Sequence, residues 1–506
     1  MKRAFRSALI ITIFTFSTQL VLFIGQIIAA AKFGAGSEMD AFLAASTLPQ
    51  YVITVLLGSL GFVFIPYFID RKTNGNQEQA YKLAANLFNN SIFFLGLITI
   101  MGIVFARPFM MMTAPGLSPQ SLDLGVKVSI ITWPTVLATG ALSLLLSIYQ
   151  AEKKFSWQAI VPFIGAVIHL ILLILLIPSL GVIGLAFAST CGVIVQVILL
   201  LRVLIRHDKY QFRLDWGDAE FHQILKLVAP LVLVAIVTKF TPLIDRFLAS
   251  GLPEGSISHL NYAFKVATVA SLLISVGGST VIFPKIASDV STFNTNALKG
   301  TISFGLRFMW VIIAPVITIG ISLSLPMINI LFNRGEFTGS DSIVVADLLK
   351  IYIVALIGMC LGTVTSKAYY ALKDTRTLAV FGIIEAVAYA IYTVYLMKWL
   401  GVIGIAIGYM IYFNISLLWQ LLILRFKLGN SGGYTLTRSY AITLVAAVVG
   451  GGVAYIVVKI ASISLVQVAV GGFLGLLSYA MVLFLLNSRE FKLIKEMILS
   501  GLNNQK

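Results

Sequence analysis

Runs of roughly 20 largely apolar residues, the length that crosses a bilayer's hydrocarbon core, recur along the whole chain between short polar breaks. Fourteen are legible: 7–31, 41–69, 83–106, 124–150, 157–179, 181–205, 222–250, 259–288, 301–326, 343–371, 377–399, 401–424, 437–459 and 463–486. Each reads as a membrane-spanning helix. The first run is too long for a signal peptide and lacks a small-x-small cleavage site followed by a soluble domain, so it is expected to remain as a helix. The tightest breaks fall at Gly181 and Gly401.

The runs fall into two copies. Leu180-Gly181-Val182-Ile183-Gly184 recurs as Leu400-Gly401-Val402-Ile403-Gly404, 220 residues later, and Tyr149, Ala151 and Lys153 recur at that offset as Tyr369, Ala371 and Lys373. Ile65-Pro66 faces Phe283-Pro284 and Pro108 faces Pro326, both 218 apart, while Ala41-Phe42 answers Ala263-Phe264, 222 apart. Several colinear matches at nearly one offset indicate a duplication. Six spans per copy give both halves the same orientation, the arrangement of parallel repeats with a site between two bundles. The expected organisation is an N-terminal half over 1–206, a cytoplasmic linker over 207–221, a C-terminal half over 222–426, and a terminal helix pair with tail over 427–506. The polar stretch 203–224, with mixed charge and alternating aromatics, reads as that linker plus an amphipathic interfacial helix. The fold class is therefore an all-α integral membrane protein with about fourteen spans, two parallel six-helix repeats around a central cavity plus a C-terminal helix pair.

Composition agrees. Hydrophobic residues make up 59% of the chain and charged ones 11%, with mean hydropathy +0.97, where a soluble domain is about a quarter charged. Most of the net charge of +16 sits in loops. One side collects Lys2, Arg3, Arg6, Arg71, Lys72, Lys82, Lys153, Lys154, Arg202, Arg206, Lys209, Arg213, Lys226, Lys285, Lys299, Arg307, Lys373, Arg376, Arg425, Lys427 and Arg438, and then Arg489, Lys492, Lys495 and Lys506; the other holds Lys32, Arg107, Lys127, Arg334, Lys398 and Lys459. That asymmetry places both termini in the cytoplasm. Cations in short loops beside anionic lipid account for the charge without a nucleic-acid partner. Cys191 and Cys360 lie inside spans and read as buried small hydrophobes. No phosphate-binding loop, H-E-x-x-H or Cys-x-x-Cys motif occurs. No catalytic residue, metal site or resident cofactor is expected.

Ionisable groups inside spans are costly and face a cavity or a partner. The most informative run contains Lys239-Phe240-Thr241-Pro242-Leu243-Ile244-Asp245-Arg246. A mid-span proline frees a carbonyl and bends the helix. Lys239 and Arg246, seven apart, are expected on one face two turns from each other, with an interfacial position for Asp245 and Arg246 as the alternative. Lys239, Arg246 and Lys265 are the candidate cavity cations; for Lys265 snorkelling is the alternative. Lys350 and Lys367 read as structural or interfacial. Glu385, central in its span, suits a buried carboxyl usable for proton or cation coupling. Asp40, Asp245, Gln19 and Gln26 complete the candidate polar lining. The two glutamines are seven apart and share a helix face, which hydrogen bonding between helices explains equally well. His169 reads as a satisfied interior histidine.

Phe33-Gly34-Ala35-Gly36-Ser37-Glu38-Met39-Asp40-Ala41-Phe42, followed by Leu48-Pro49 and Ile65-Pro66, resembles the MurJ (MviN) lipid II flippase family, within the superfamily of MATE exporters and Wzx polysaccharide flippases. The resemblance runs on through Thr113-Ala114-Pro115-Gly116, Tyr262-Ala263-Phe264-Lys265 and Leu331-Phe332-x-x-Gly335-x-Phe337-Thr338. It covers nearly the whole chain and implies fourteen helices. It also implies that Lys265 stands where the family has a helix 8 arginine and Asp40 where it has the motif aspartate. The family's helix 1 and 2 arginines are missing: neither Gln19 to Gln26 nor Gln50 to Gly61 contains one.

The resemblance implies a flippase that carries a polyprenyl-pyrophosphate-linked glycan, lipid II for peptidoglycan, across the bacterial cytoplasmic membrane by alternating access. The substrate's diphosphate needs cations, which Lys265, Lys239 and Arg246 could supply. Coupling to Na+, to H+ or to the membrane potential is expected, with the lipid-linked glycan and the bilayer as partners and a monomer as the working unit. The alternatives are a Wzx-like flippase for a surface-polysaccharide precursor, which the missing arginines favour, and a MATE-like cation-coupled exporter, which would need acidic residues to dominate the cavity. A glycan polymerase would need carboxylates in large outer loops, and these loops are short. A non-transporting scaffold with a degenerate cavity is a further reading.

Overall fold

A bilayer core offers the backbone no water, so each span must satisfy its own N–H and C=O groups, and helices do this within one segment. Among the described residues the chain forms eighteen α-helices and no strand. The computed structural model describes residues 2–74, 77–206, 213–291, 295–429 and 433–486; the side chains of 2–10, 57–63, 74, 77, 204, 206, 272–285, 287–288, 290–291, 295 and 433–437 lie outside that description. The basic residues expected at Lys2, Arg3, Arg6, Arg206, Lys209 and Lys285 and in the tail 487–506 therefore fall outside the described side chains, as does the Phe283-Pro284 match.

The chain forms two compact units, Met1–Ser258 and His259–Lys506. In the first, α1 (Lys2–Phe33) turns at Gly34 into α2 (Ser37–Asn74), and α3 (Gln77–Val104) is followed by the short α4 (Ala106–Thr113). Next, α5 (Pro119–Thr132) and α6 (Pro134–Ala151) make one span interrupted at Trp133, because Pro134 has no N–H to continue the ladder. After α7 (Phe155–Leu180) and α8 (Val182–Arg206) come α9 (Ala219–Thr238) and α10 (Thr241–Ser250). The next helix, α11 (Ser256–Ser291), starts in the first unit and continues in the second. There it is followed by α12 (Thr295–Ser322), the short α13 (Ser324–Phe332), α14 (Gly339–Ala371), α15 (Thr375–Leu400), α16 (Val402–Leu428), α17 (Gly433–Ile460) and α18 (Ser464–Leu485).

Thirteen helical stretches among the described residues are long and apolar enough to cross a membrane. The fourteenth expected span, 259–288, coincides with α11, most of whose later side chains lie outside the description. The outward surfaces are apolar: Leu175 is 64% exposed and Trp399 87%, as lipid-facing helices require.

The duplication is visible in backbone geometry. Gly181 (φ 56°, ψ −136°) and Gly401 (φ 59°, ψ −136°) each form the one-residue joint between two spans, a conformation essentially open to glycine alone. Lys153 and Lys373 both adopt the left-handed region, with φ of 60° and 57°. Tyr149 donates its hydroxyl to the Leu200 carbonyl at 3.1 Å, and Tyr369 donates to the Gln420 carbonyl at 3.0 Å. The short helices α4 and α13, carrying Pro108 and Pro326, occupy matching places in the two copies.

Packing groups the helices differently from the repeat. The span 222–250, counted by the repeat with the second half, belongs to the first compact unit. Phe221, Ile224 and Val228 bury themselves in a cluster with Phe64, Phe68, Leu145 and Tyr149, and Arg71 pairs with Glu220. The linker is not the amphipathic helix expected over its described part. Residues 213–218 form a loop docked on α3, where Asn86 donates to the Asp215 carbonyl at 3.0 Å and accepts the Asp215 N–H at 2.8 Å. Asn89 donates to the Arg213 carbonyl at 2.8 Å. Side-chain amides satisfy the loop's backbone, so it needs no helix to do so. Residues 207–212 lie outside the described residues.

Candidate functional site

The proline at 242 sets the geometry of the first candidate region. It has no N–H for the Thr238 carbonyl, and its ring would clash there. The span consequently breaks into α9 and α10 at Lys239-Phe240. The Phe240 N–H turns to the Val237 carbonyl at 3.4 Å, which releases the Ile236 carbonyl. Tyr51 of α2 fills the gap: its hydroxyl donates to Ile236 at 2.5 Å, and its ring meets Phe240 edge-on at 6.0 Å. The break corrects one expectation. Lys239 and Arg246 do not share a face of one continuous helix, because Lys239 caps the end of α9 while Arg246 sits inside α10. Lys239 is exposed and Arg246 half-buried.

Asp40, expected as a cavity carboxylate, is 4% exposed on the first turn of α2. It accepts the Gly255 N–H at 2.8 Å, the Ser258 N–H at 2.8 Å and the Ser258 hydroxyl at 2.5 Å. The carboxylate thus caps the N-terminus of α11, where a negative charge is favoured. Glu254 returns the favour, accepting the Ser37 N–H at the N-terminus of α2 at 2.7 Å. Arg246 donates to the Ile257 carbonyl at 2.9 Å and interacts electrostatically with Asp40. A third loop joins them. The Gly116 N–H donates to the Ser250 hydroxyl at 3.1 Å, and a Cβ on Gly116 would lie 2.3 Å from the Ser250 carbonyl oxygen, so only glycine fits. Asp245 beside Arg246 is half-buried. Asp40 and Arg246 therefore hold loops together, and the Gly34–Asp40 and Pro115–Gly116 stretches supply two sides of this clasp.

The other candidates lie apart from it. Gln19 is exposed on α1 and Gln26 half-buried, so the two glutamines differ in environment although they are seven apart. The Gln26 Oε1 is buried without a hydrogen-bond partner, as is the Nδ1 of His169 on the adjoining α7. In the second unit Lys265 is exposed on α11, while Tyr262 one turn earlier is fully buried between Phe332 and Phe337, at centroid distances of 5.2 and 5.5 Å. Glu385 of α15 accepts the Trp419 indole N–H from α16, whose ring stacks on Phe381 at 4.5 Å. Asp347 and Lys350 pair on α14 at 2.7 Å. Within the first unit the fold brings Asp40 and Arg246 together and leaves Lys239 at the helix break; within the second, Lys265 and Glu385 sit on different helices.

Sequence reasoning missed Glu254, Ser258, Ser250 and Tyr51. Glu254 was findable as the one acid in the short loop 251–255. Ser258 and Tyr51 carry no such signal.

A family model described as lipid II flippase MurJ matches residues 5–476. A protein of Buchnera aphidicola subsp. Acyrthosiphon pisum named "Probable lipid II flippase MurJ" is 27% identical over 373 residues, covering 72% of this chain and 73% of that one. Among solved structures, lipid II flippase MurJ in an inward closed conformation matches with a TM-score of 0.81 at 22% identity, over 94% of this chain and 98% of that one. An inward-facing multidrug resistance transporter of the MATE family, from the MOP superfamily, matches with a TM-score of 0.64 at 16% identity, over 82% and 94%. At these identities the two structures share this chain's fold.

Proposed function

We propose that this chain, which belongs to the lipid II flippase MurJ family, is itself a lipid II flippase. It is a multi-pass protein of the bacterial inner membrane. The observation that carries the reading is the family match over residues 5–476, supported by the common fold. The Wzx-like and MATE-like readings have less behind them, since the curated relative is named for lipid II and the MATE structure matches less well. The activity is transport by alternating access rather than catalysis. Both termini lie in the cytoplasm, an ion gradient or the membrane potential drives the cycle, and the monomer is the working unit. The substrate's glycan and diphosphate cross while its lipid tail stays in the bilayer.

Lys239 and Lys265 provide cations for the diphosphate. Both are exposed although they belong to spans, where an ammonium facing hydrocarbon is costly. Lys239 also sits beside the N-terminus of α10 at a broken helix, the arrangement discontinuous transporter helices use toward anionic groups. Arg246 adds charge nearby, but its bond to Ile257 gives it a second task.

The test is rescue of bacteria depleted of their own lipid II flippase. The wild-type chain restores growth, and the double variant Lys239→Gln/Lys265→Gln fails while reaching the membrane at normal levels. Growth restored equally by the double variant would overturn the assignment of the cations, and no growth with the wild type would overturn the flippase itself.

A further inference from the structure

Two settings are open to the end of α9. In a continued helix the Phe240 N–H would bond the Ile236 carbonyl, four residues back. Here it turns to Val237 at 3.4 Å, the tighter three-residue spacing of a helix end. Lys239 leaves helical geometry with it, at φ −102° and ψ 12°. Pro242 accounts for the bond lost at Thr238 but not for the one lost at Ile236, two residues earlier. Tyr51 of α2 accounts for that one. An unpaired carbonyl within a span is costly, and the Tyr51 hydroxyl supplies Ile236 with a donor at 2.5 Å. It removes the cost of the broken setting and so favours it over the continued helix.

The support behind this bond is firm. Leu48, Val52 and Leu56 of α2 pack against the buried cluster of Leu95, Trp133 and Val136. The Tyr51 ring also meets Phe240 edge-on at 6.0 Å, so one side chain touches the helix on both sides of Lys239. Returning the Phe240 N–H to Ile236 would carry α9 through Lys239 and turn its exposed side chain to a new direction. We propose that Tyr51 is a positioning residue for transport: its hydroxyl fixes where α9 ends and thereby aims the Lys239 ammonium at the substrate's diphosphate; this rests on the flippase reading above.

The probe is farnesyl pyrophosphate, with uncharged farnesol as control, binding to the purified full chain in detergent. The wild type binds the diphosphate and not the alcohol. Tyr51→Phe keeps the ring against Phe240 and loses only the hydroxyl; it weakens binding about fivefold, the scale of one net hydrogen bond. In the Lys239→Gln background, where Lys265 still holds the diphosphate, Tyr51→Phe has no further effect, because the group it positions is gone. A merely structural role would lower affinity by the same factor with or without the ammonium. Unchanged binding by Tyr51→Phe, or an equal loss in both backgrounds, overturns the positioning role and leaves the flippase reading, judged by rescue, untouched. A wild type that binds neither probe overturns it as well.

Discussion

The turns at Gly181 and Gly401 agree in φ to within a few degrees and in ψ outright, whereas Asp40 on α2 and Tyr262 on α11, equivalent by the same duplication, do different work. Asp40 gathers three donors; the Tyr262 ring packs between two phenylalanines. The same contrast runs through other paired positions. Lys154 pairs with Glu152 and leaves α7 without a side-chain cap, while its counterpart Asp374 caps α15 and pairs with Lys427. Gly165, against which Gln196 packs, is answered by Glu385, bonded to Trp419. Symmetry persists where backbone sterics allow a single solution and is lost where charge is placed. A transporter needs both: a duplicated frame and an asymmetric lining.

The largest effect that would break this comparison is at Asp40. Asp40→Ala leaves the Gly255 and Ser258 N–H groups buried without an acceptor, and thermal unfolding in detergent should show a loss of about 3 kcal/mol. Melting at the wild-type temperature would mean that the clasp contributes nothing. Next come Gly181→Ala and Gly401→Ala. No atom lies within 4 Å of an added Cβ at either site, so the cost is purely conformational, roughly 1–3 kcal/mol, and equal in the two copies. A copy that tolerates alanine would show that the turns only look alike.

The smallest effect concerns pH. The Lys427 ammonium, helped by Thr377, holds the Asp374 carboxyl below its ordinary value of 3.8. A carboxyl lowered by folding stabilises the folded chain above its unfolded pKa, and that contribution fades as pH falls through the lowered one. Melting temperature should therefore drop slightly below about pH 4, by the equivalent of less than about 1 kcal/mol for so accessible a pair. Asp374→Asn should remove that part of the acid response, and an unchanged response would assign it to other carboxylates.

Much of the frame was legible because membrane helices announce themselves by length and apolarity, and because Pro242 and the paired glycines obey local backbone rules. All fourteen expected runs coincide with helices or helix pairs. Arg246 and Asp40 were legible as unusual residues but not as partners of a loop, since Asp40 and Ser258 are 218 residues apart and nothing local links them. Lys239 and Arg246 were placed on one face by a periodicity that assumes an unbroken helix.

The central claim is that this chain moves lipid II to the outer leaflet. The direct measurement is the appearance of lipid II on the outer surface of spheroplasts whose own flippase has been inactivated, with and without this chain. The account predicts that the wild-type chain restores surface lipid II and that Lys239→Gln/Lys265→Gln does not. Surface lipid II that stays absent while the wild-type protein is present in the membrane would contradict it.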